Sequence, residues 1–482
     1  MRIKQLEIDG ENILPITHES IVFDNEGKSI PNKYQVIEDE NLSTENKTIV
    51  GAINELFQNV DSGKEIIADA IDNENITKDS TFTAMGEAIT DINVSRENDR
   101  KKLIEILRVG GIPTIGDESM DSLLDLIVIG GSSDVVFHQI SCGNSHTFIL
   151  KNDGTVWACG DNSYGQLGIG NTTSSLFFTQ VKNVVDVRQI ACGNYYTFML
   201  KNDGTLWACG QNSYGQLGIG STSDKTSFSE VIGMTDVKQI ACGGDHVLAL
   251  KNDGTLWTCG RNNYGQLGMG NTSNLKNFKL VPNMSDIKHI FCKKDNSFIL
   301  KNDGTAWSCG WNDSGQLGIG NFVDQKSFCK IEDISDIKQI ACGDSHTFIL
   351  KNDGTIWGCG YNYYGQLGMD GTSNRSTFEQ VPNISNVKQI DCGINYTFIL
   401  KDDNSIWCTG QGSFGRLGLG DGRDKEEFTL VADMPNVERV SCGDWHTFIV
   451  KKNGTIWACG RNTSGQLGLN DTKNKETFIG RL

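Results

Sequence analysis

The chain has 482 residues, which is enough for two or three domains, and its net charge of −17 argues against nucleic acid as a partner. No stretch approaches the roughly 18 consecutive apolar residues of a membrane-spanning helix, and the N-terminus lacks the apolar core of a signal peptide. The acidic excess lies in residues 1–130, with 26 acidic and 12 basic side chains, whereas all 15 Cys and all nine Trp follow residue 131. The chain therefore has two unlike parts, and we expect a soluble product made in the cytoplasm.

Residues 1–42 are predicted to form short β-strands and turns, and residues 43–130 are predicted to form helices. Ser43 or Thr44 is a candidate N-cap for the first helix. Apolar residues of that helix recur at three- and four-residue steps, at Ile49, Ile53, Leu56 and Val60. Because no helix of this part is expected to be stable alone, we expect it to form a homo-oligomer, as a trimer, or to dock onto a partner.

Two segments of this part carry a resemblance. "ILPITHESIVFDNEGKSI" (13–30) and "NKTIVGAINELF" (46–57) are similar to segments of tail-fibre and tail-associated proteins of phages and prophages of Gram-positive bacteria. The resemblance covers about residues 10–110. It implies that the N-terminal region attaches to a virion or tail-like particle and that the C-terminal part forms its tip.

A 50-residue repeat begins near Phe137 and runs to Leu482. Seven tryptophans mark it without a single insertion: Trp157, Trp207, Trp257, Trp307, Trp357, Trp407 and Trp457. Each copy contains four short β-rich segments, joined by turns such as "NDG" (202–204), and this pattern is typical of a propeller blade. Because the first and last copies are as regular as the middle ones, we expect a closed ring of seven blades rather than a capped solenoid.

The segment "CGNSHTFILKNDGTVWACGDNSYGQLG" (142–168) closely resembles the repeat of the regulator of chromosome condensation family. The resemblance covers residues 137–482. It implies a mainly β protein, a seven-bladed propeller of four-stranded blades preceded by a smaller, largely helical attachment region. It does not imply the nucleotide-exchange activity of the nuclear founder, since one fold hosts many functions.

The repeat sets cysteines and histidines in register. First-strand and third-strand cysteines, such as Cys142 and Cys159, would lie about 9–10 Å apart, which is too far for a disulfide, so we expect free, buried thiols. The position that His146 occupies in the first copy holds His in four copies and Tyr or Asn in the other three. A zinc site needs several ligands that converge on one point, so this variation favours structural hydrogen bonds over zinc ligation. These histidines are His146, His246, His346 and His446. No phosphate loop, calcium loop or catalytic motif stands out, so we expect no metal, no cofactor and no enzyme activity.

Register positions that vary between copies define the candidate binding surface. They follow the first and third strands, in loops that share one end of a four-stranded meander, and we expect this end to face away from the N-terminal region. The candidates are Tyr195, Arg261, Lys294, Trp311, Tyr361, Tyr363 and Trp445. Trp311, Tyr361 and Tyr363 fall on blades 4 and 5, as an aromatic patch suited to sugar rings or a protein partner. The alternative is that these rings pack on neighbouring loops.

Three functions stay open at this point. The leading one is a phage or prophage tail fibre located in a virion or tail-like particle. Its N-terminal region would bind tail or baseplate proteins, and its propeller would bind a glycan or protein of the bacterial surface. The second is an intracellular protein-binding propeller, such as a GTPase regulator or an enzyme inhibitor. The third is an enzyme that degrades a surface glycan.

Overall fold

The computed structural model describes residues 6–8, 11–13 and 137–480, and the chain divides after Val135 into two units. In the first unit, strands β1 (Leu6–Ile8) and β2 (Glu11–Ile13) form an antiparallel hairpin. The predicted helices of residues 43–130 lie outside the described residues, as does the rest of the predicted β-rich segment 1–42. Among the described residues, no helix has the length and apolarity needed to span a membrane.

Residues 137–480 form seven antiparallel four-stranded sheets, the blades, and the strands of each blade follow one another in the chain. The strands of blades 1 to 4 are β3 (Phe137–Cys142), β4 (His146–Lys151), β5 (Val156–Gly160), β6 (Ser175–Gln180), β7 (Val187–Cys192), β8 (Tyr196–Lys201), β9 (Leu206–Gly210), β10 (Lys225–Glu230), β11 (Val237–Cys242), β12 (His246–Lys251), β13 (Leu256–Gly260), β14 (Leu275–Leu280), β15 (Ile287–Lys293), β16 (Asn296–Lys301), β17 (Ala306–Gly310) and β18 (Gln325–Lys330). Those of blades 5 to 7 are β19 (Ile337–Cys342), β20 (His346–Lys351), β21 (Ile356–Gly360), β22 (Arg375–Gln380), β23 (Val387–Gly393), β24 (Tyr396–Lys401), β25 (Ile406–Gly410), β26 (Lys425–Leu430), β27 (Val437–Cys442), β28 (His446–Lys451), β29 (Ile456–Gly460) and β30 (Lys475–Gly480). A short 3-10 helix spans Ser413–Gly415 in blade 6.

The turn between the second and third strands explains the "NDG" signal of the repeat. In blade 2 the N–H of Gly204 donates to the carbonyl of Lys201, and Gly204 has a φ of +82°, which glycine adopts without strain. The Asp203 carboxylate accepts both the N–H and the hydroxyl of Thr205, at 2.9 and 2.7 Å. In blade 6 Asn404 takes the glycine position with a φ of +67°, as predicted for a left-handed residue.

The hydrophobic core lies between neighbouring blades. Phe198 and Leu200 of blade 2 pack against Val247 and Ala249 of blade 3, and all four are buried. Each second strand is covered on both sides, because one face of its sheet meets the preceding blade and the other face meets the next blade. This explains why the second strands are continuously apolar instead of alternating.

Buried hydrogen bonds also join neighbouring blades. The backbone carbonyl of Gln166 in blade 1 accepts the Thr197 hydroxyl at 2.9 Å and the Cys209 thiol at 3.4 Å, both from blade 2. Since the Thr197 hydroxyl donates to that carbonyl, it accepts from Nε2 of His146, which lies 3.0 Å away. Burial lowers the pKa of His146 to about 4, so the ring is neutral. The predicted structural role of this histidine position is confirmed.

The ring closes through the same chemistry between blades 7 and 1. The Thr147 hydroxyl donates to the carbonyl of Gln466 at 2.8 Å and lies 2.9 Å from Nε2 of His446. Phe178 of blade 1 packs edge-on against Phe448 of blade 7, with ring centroids 6.4 Å apart. The predicted closed ring is therefore confirmed, and all 15 cysteines are unpaired within it, as expected.

Candidate functional site

The loops after the first and third strands lie at one end of the ring, and a backbone hydrogen bond joins them in each described blade. In blade 1 the N–H of Asp161 donates to the carbonyl of Ser145 at 2.8 Å, and the equivalent bond recurs in the other six blades. We call this end the loop face. It consists of residues 143–145 and 161–174 in blade 1 and of the equivalent residues, at intervals of 50, in blades 2 to 7.

Blade 4 departs from the repeat in the turn after its first strand. The other six blades have glycine there, because a buried side chain three residues later covers it: a Cβ on Gly343 would lie 2.1 Å from Cε1 of His346. Blade 4 has Lys293 at this position and Asn296 at the covering position. The Asn296 side chain turns toward the loop after the third strand and donates to the carbonyl of Trp311. The two substitutions form a pair, since the smaller Asn296 leaves room for the lysine.

The side chain of Lys293 lies at the axis of the ring, which the first strands surround because those of neighbouring blades contact one another. Its Nζ is 3.0 Å from a carboxylate oxygen of Asp444 in blade 7, and Asp444 also accepts the side-chain amide of Asn144 at 2.9 Å. Burial disfavours the charged lysine, but the carboxylate of Asp444 outweighs it and raises the pKa of Lys293. Beside this pair, Nζ of Lys294 is 3.8 Å from Asp344. Two ion pairs therefore lie at the loop-face end of the axis.

Arg261 lies between two tyrosines at the junction of blades 2 and 3. Its guanidinium carbon is 5.4 Å from the ring centre of Tyr214 and 5.6 Å from that of Tyr264. One guanidinium nitrogen is 3.5 Å from Asp295 and 3.9 Å from Asp245. Two aromatic rings and two carboxylates together hold this one cation.

A second arginine–aromatic cluster lies at blades 6 and 7. Arg416 stands where the other six copies have glutamine, and its guanidinium carbon is 4.4 Å from the ring centre of Trp445. Burial lowers the pKa of Arg416 to about 10, which leaves it charged at neutral pH. Phe414 packs edge-on against Trp445 at 5.9 Å, and Arg461 lies 5.8 Å from the Phe414 ring.

Three tyrosines form a cluster in blade 5. The rings of Tyr361 and Tyr363 are stacked, with an interplanar angle of 14° and centroids 6.3 Å apart. Tyr364 meets Tyr363 edge-on at 5.1 Å and Tyr361 at 6.2 Å. Tyr363 is 64% exposed, so the stack presents an open aromatic surface to solvent.

Blade 4 adds two exposed apolar residues to the loop face. Phe322 and Val323 are 52% and 64% exposed. At the position of Phe322 the other copies have Thr or Gly. At the position of Val323 they have Ser, Thr, Arg or Lys. Comparison of the copies at these positions would have found both residues, whereas the predicted candidates come only from positions close to the strand ends.

The seven predicted site residues all lie on the loop face, but they do not form one patch. Tyr361 and Tyr363 come together as predicted. Trp311 instead packs on Tyr264 of blade 3, with centroids 5.9 Å apart, and Tyr195 packs on Tyr164 at 5.3 Å. Lys294, Arg261 and Trp445 are held in the ion pairs and clusters of their own blades and their neighbours. Their role in binding stays a prediction.

Comparisons with known proteins support the repeat assignment. Residues 123–335 match the RCC1-like domain. Residues 337–366, 387–416 and 437–466 match the regulator of chromosome condensation (RCC1) repeat, and a second RCC1 repeat family matches 353–400 and 403–450.

Curated relatives match over short segments. The chain is 46% identical over 41 residues to a Protein RCC2 homolog of Xenopus laevis, an alignment that covers 8% of each protein. It is 43% identical over 49 residues to Protein RCC2 of Homo sapiens, which covers 10% of this chain and 9% of the relative. The chain thus spans about a tenth of the length of these relatives.

Solved structures share the fold. Human WBSCR16 superposes with a TM-score of 0.61 at 21% identity, over 68% of this chain and 92% of that chain. Yeast RCC1 (Prp20), solved in complex with Kap60, superposes with a TM-score of 0.61 at 18% identity, over 72% of this chain and 84% of that chain.

The expected location in a virion or phage-tail-like particle is wrong. The matched relatives are cellular proteins of a frog and of humans, and the yeast structure is a cellular protein as well. The tail, baseplate and bacterial-surface partners inferred from that location lose their support with it. What the matches and the fold establish is that residues 137–480 are a seven-bladed β-propeller built of RCC1 repeats.

Proposed function

We propose that this chain is an intracellular protein-binding propeller without catalytic activity of its own. The observation that supports this proposal is that the loop face exposes apolar side chains in both blade 4 and blade 5. Phe322, Val323 and Tyr363 are all more than half exposed there. Exposed apolar groups of this kind mark interaction sites, and aromatic anchors supply much of the binding energy at protein interfaces.

The yeast structures offer a precedent for protein partners. Prp20p of Saccharomyces cerevisiae has binding properties to Gsp1p and histones, and yeast RCC1 (Prp20) binds Kap60. Two forms of the proposal follow for this chain. A GTPase regulator would change the rate at which its partner releases nucleotide, whereas an enzyme inhibitor would lower the turnover of its partner.

The test places a photo-crosslinking amino acid at Tyr363 in one variant and at Ile232 in a control. Ile232 is 82% exposed but lies in the turn after a fourth strand, at the end of the ring opposite the loop face. We expect a defined protein to crosslink from position 363 and not from position 232. The same protein, purified, should bind the full chain directly.

Replacing the exposed apolar residues of blade 4 by the residues that other copies have at the same positions then provides matched variants. The double variant Phe322→Thr and Val323→Ser should weaken binding of that partner at least tenfold without loss of the fold. Equal crosslinking from both positions, or binding unchanged in the double variant, would exclude this surface. Nucleotide release and enzymatic turnover of the bound partner then distinguish a GTPase regulator from an inhibitor.

A further inference from the structure

We infer that the loop face of blades 4 and 5 recognises an arginine side chain of the partner, seated on the tyrosine cluster of blade 5. This inference rests on the proposed function and specifies the chemistry of the partner. The occupant is a protein segment with an exposed arginine. The cluster consists of Tyr361, Tyr363 and Tyr364.

The propeller contains the recognition geometry twice, filled by its own residues. Arg261 lies over Tyr214 and Tyr264 and is paired with two carboxylates. Arg416 lies over Trp445, in a cluster of aromatic rings that Arg461 extends. Arg261 is held by two rings from the loops after third strands, and Arg416 is held by Phe414 of such a loop and by Trp445 of a first-strand turn.

Among the described residues, the blade 5 cluster has no cation stacked on its rings, although Arg416 of blade 6 interacts electrostatically with Tyr364 at its far side. Within residues 137–480, no lysine or arginine lies over the ring of Tyr361, Tyr363 or Tyr364. The repeat explains why this cluster is open on its blade 4 side. Tyr164, Tyr214 and Tyr264 each reach from their own blade to a residue of the next blade, whereas blade 4 has the small Ser314 at that position.

The loops after the third strands of blades 4 and 5 each carry an exposed carboxylate. Asp370 follows the cluster in the same loop, where five other copies have glycine and the seventh has asparagine. Asp313 lies in the corresponding loop of blade 4, one residue before Ser314. Both are exposed, and neither forms an ion pair within the described residues 137–480. A guanidinium group gains from stacking on tyrosine rings and from a nearby carboxylate, as Arg261 does.

The test uses two fluorescent nonapeptides of glycine and serine, one with three arginines and one with three citrullines, which have nearly the same shape without the charge. Fluorescence anisotropy measures binding to the full chain. We expect the arginine peptide to bind at least tenfold more tightly than the citrulline peptide.

Four variants separate a cation on an aromatic ring from general attraction to an acidic protein. Tyr363→Phe keeps the ring and should keep the preference, whereas Tyr363→Leu should reduce it to less than threefold. Asp370→Gly restores the residue of most copies and should weaken the arginine peptide several-fold. Tyr164→Leu, on blade 1, is the control and should change nothing.

Equal binding of the two peptides, or a preference that survives in Tyr363→Leu, would overturn the inference. The two proposals can fail separately. A partner that crosslinks from position 363 but binds unchanged after its arginines are replaced contradicts only the arginine site. An arginine preference without any crosslinked partner contradicts the proposed function instead.

Discussion

Nζ of Lys293 in blade 4 lies 3.0 Å from the carboxylate of Asp444 in blade 7, so this ion pair joins two blades that are not neighbours in the ring. The buried hydrogen bonds and apolar contacts between blades hold each blade to the next one. This pair crosses the axis, and both side chains are largely buried, with exposed fractions of 19% and 5%. A pair of this kind ties the halves of the ring together at the loop face.

Removal of either partner should destabilise the fold. Lys293→Met leaves a buried carboxylate without its main cation, and we expect the free energy of unfolding to fall by about 2–3 kcal/mol. Asp444→Asn should have a similar effect. The double variant should lose clearly less than the sum of the two, because the remaining charge is removed with its partner. Urea titrations of all four proteins measure this coupling, and simple additivity would show that the pair contributes nothing.

Gly343 lies under the buried side chain of His346. We expect that a larger residue is tolerated at position 343 only when His346 is replaced as well. Gly343→Ala places a Cβ 2.1 Å from the buried ring of His346, and we expect a loss of about 1–3 kcal/mol from overpacking. In the presence of His346→Asn, which copies blade 4, the same alanine should cost less. Thermal unfolding of the single and double variants measures the difference, and an equal cost in both backgrounds would contradict the pairing of Lys293 with Asn296.

The propeller should be sensitive to mild acid. Burial lowers the pKa of His146 to about 4 and those of His246, His346 and His446 to about 3, against 6.5 for an exposed histidine. The unfolded chain therefore takes up protons first. Each histidine stabilises the fold fully above pH 6.5 and loses about 1.4 kcal/mol per pH unit as the pH falls from there toward its folded pKa.

Four carboxylates of the described residues oppose this trend, because burial raises the pKa of Asp245, Asp295, Asp344 and Asp391. Burial raises the pKa of Asp391 to about 6, so its protonation recovers some stability between pH 6 and about 4. Urea midpoints at pH 7 and pH 5 should differ strongly in the parent chain. The His346→Asn variant should show a smaller difference between the two pH values, because it lacks the contribution of one buried histidine. The same pH dependence in both proteins would contradict the lowered pKa of His346.

The thiols should divide into one reactive group and fourteen protected ones. Cys329 lies outside the two register positions, on the outer strand β18, and is half-buried. Burial raises the pKa of Cys329 as it does for the other cysteines, but those lie in the first and third strands, inside the blades. Alkylation of the native protein at pH 8 should modify Cys329 first, and alkylation after denaturation without reductant should modify all 15. Mass spectrometry counts both, and any protected disulfide would contradict the structure.

Loss of one blade should prevent closure. Deletion of residues 437–482 removes blade 7 and uncovers the apolar surfaces that blades 6 and 1 bury against it. We expect an aggregating product, and light scattering during purification measures this. A folded monomer would instead indicate that the repeats are stable as an open array.

The blades could be predicted from the sequence because their signals are local. The period of 50, the turn glycines and the histidine register each depend on neighbours within one copy or in the next one. Asn404 even identified the left-handed turn position by replacing glycine there. Register comparison also found the loop face.

Contacts that depend on ring geometry could not be predicted in this way. The sequence marks Lys293 as unusual, but the distance from blade 4 to Asp444 is fixed only once seven blades surround an axis. Trp311 packs on Tyr264 of blade 3 rather than on the tyrosines of blade 5. Tyr264 reaches across the junction of blades 3 and 4, whereas the small Ser314 at the same position of blade 4 does not reach across the junction of blades 4 and 5. The location was wrong for another reason: short modules resembled fibre segments, and a resemblance of that kind carries no physical constraint on where a protein works.

The junction of blades 7 and 1 has a consequence for assembly. Its contact of Thr147 with His446 repeats the contact of Thr197 with His146 between blades 1 and 2, so the junction cannot distinguish the end of its own chain from the end of another. Closure within one chain is favoured over joining of two chains because blades 1 and 7 of one chain are linked, which gives them an effective concentration of about 1 mM for each other. During refolding at high protein concentration, the ends of different chains will compete and join into larger assemblies. The yield of single rings therefore depends on dilution.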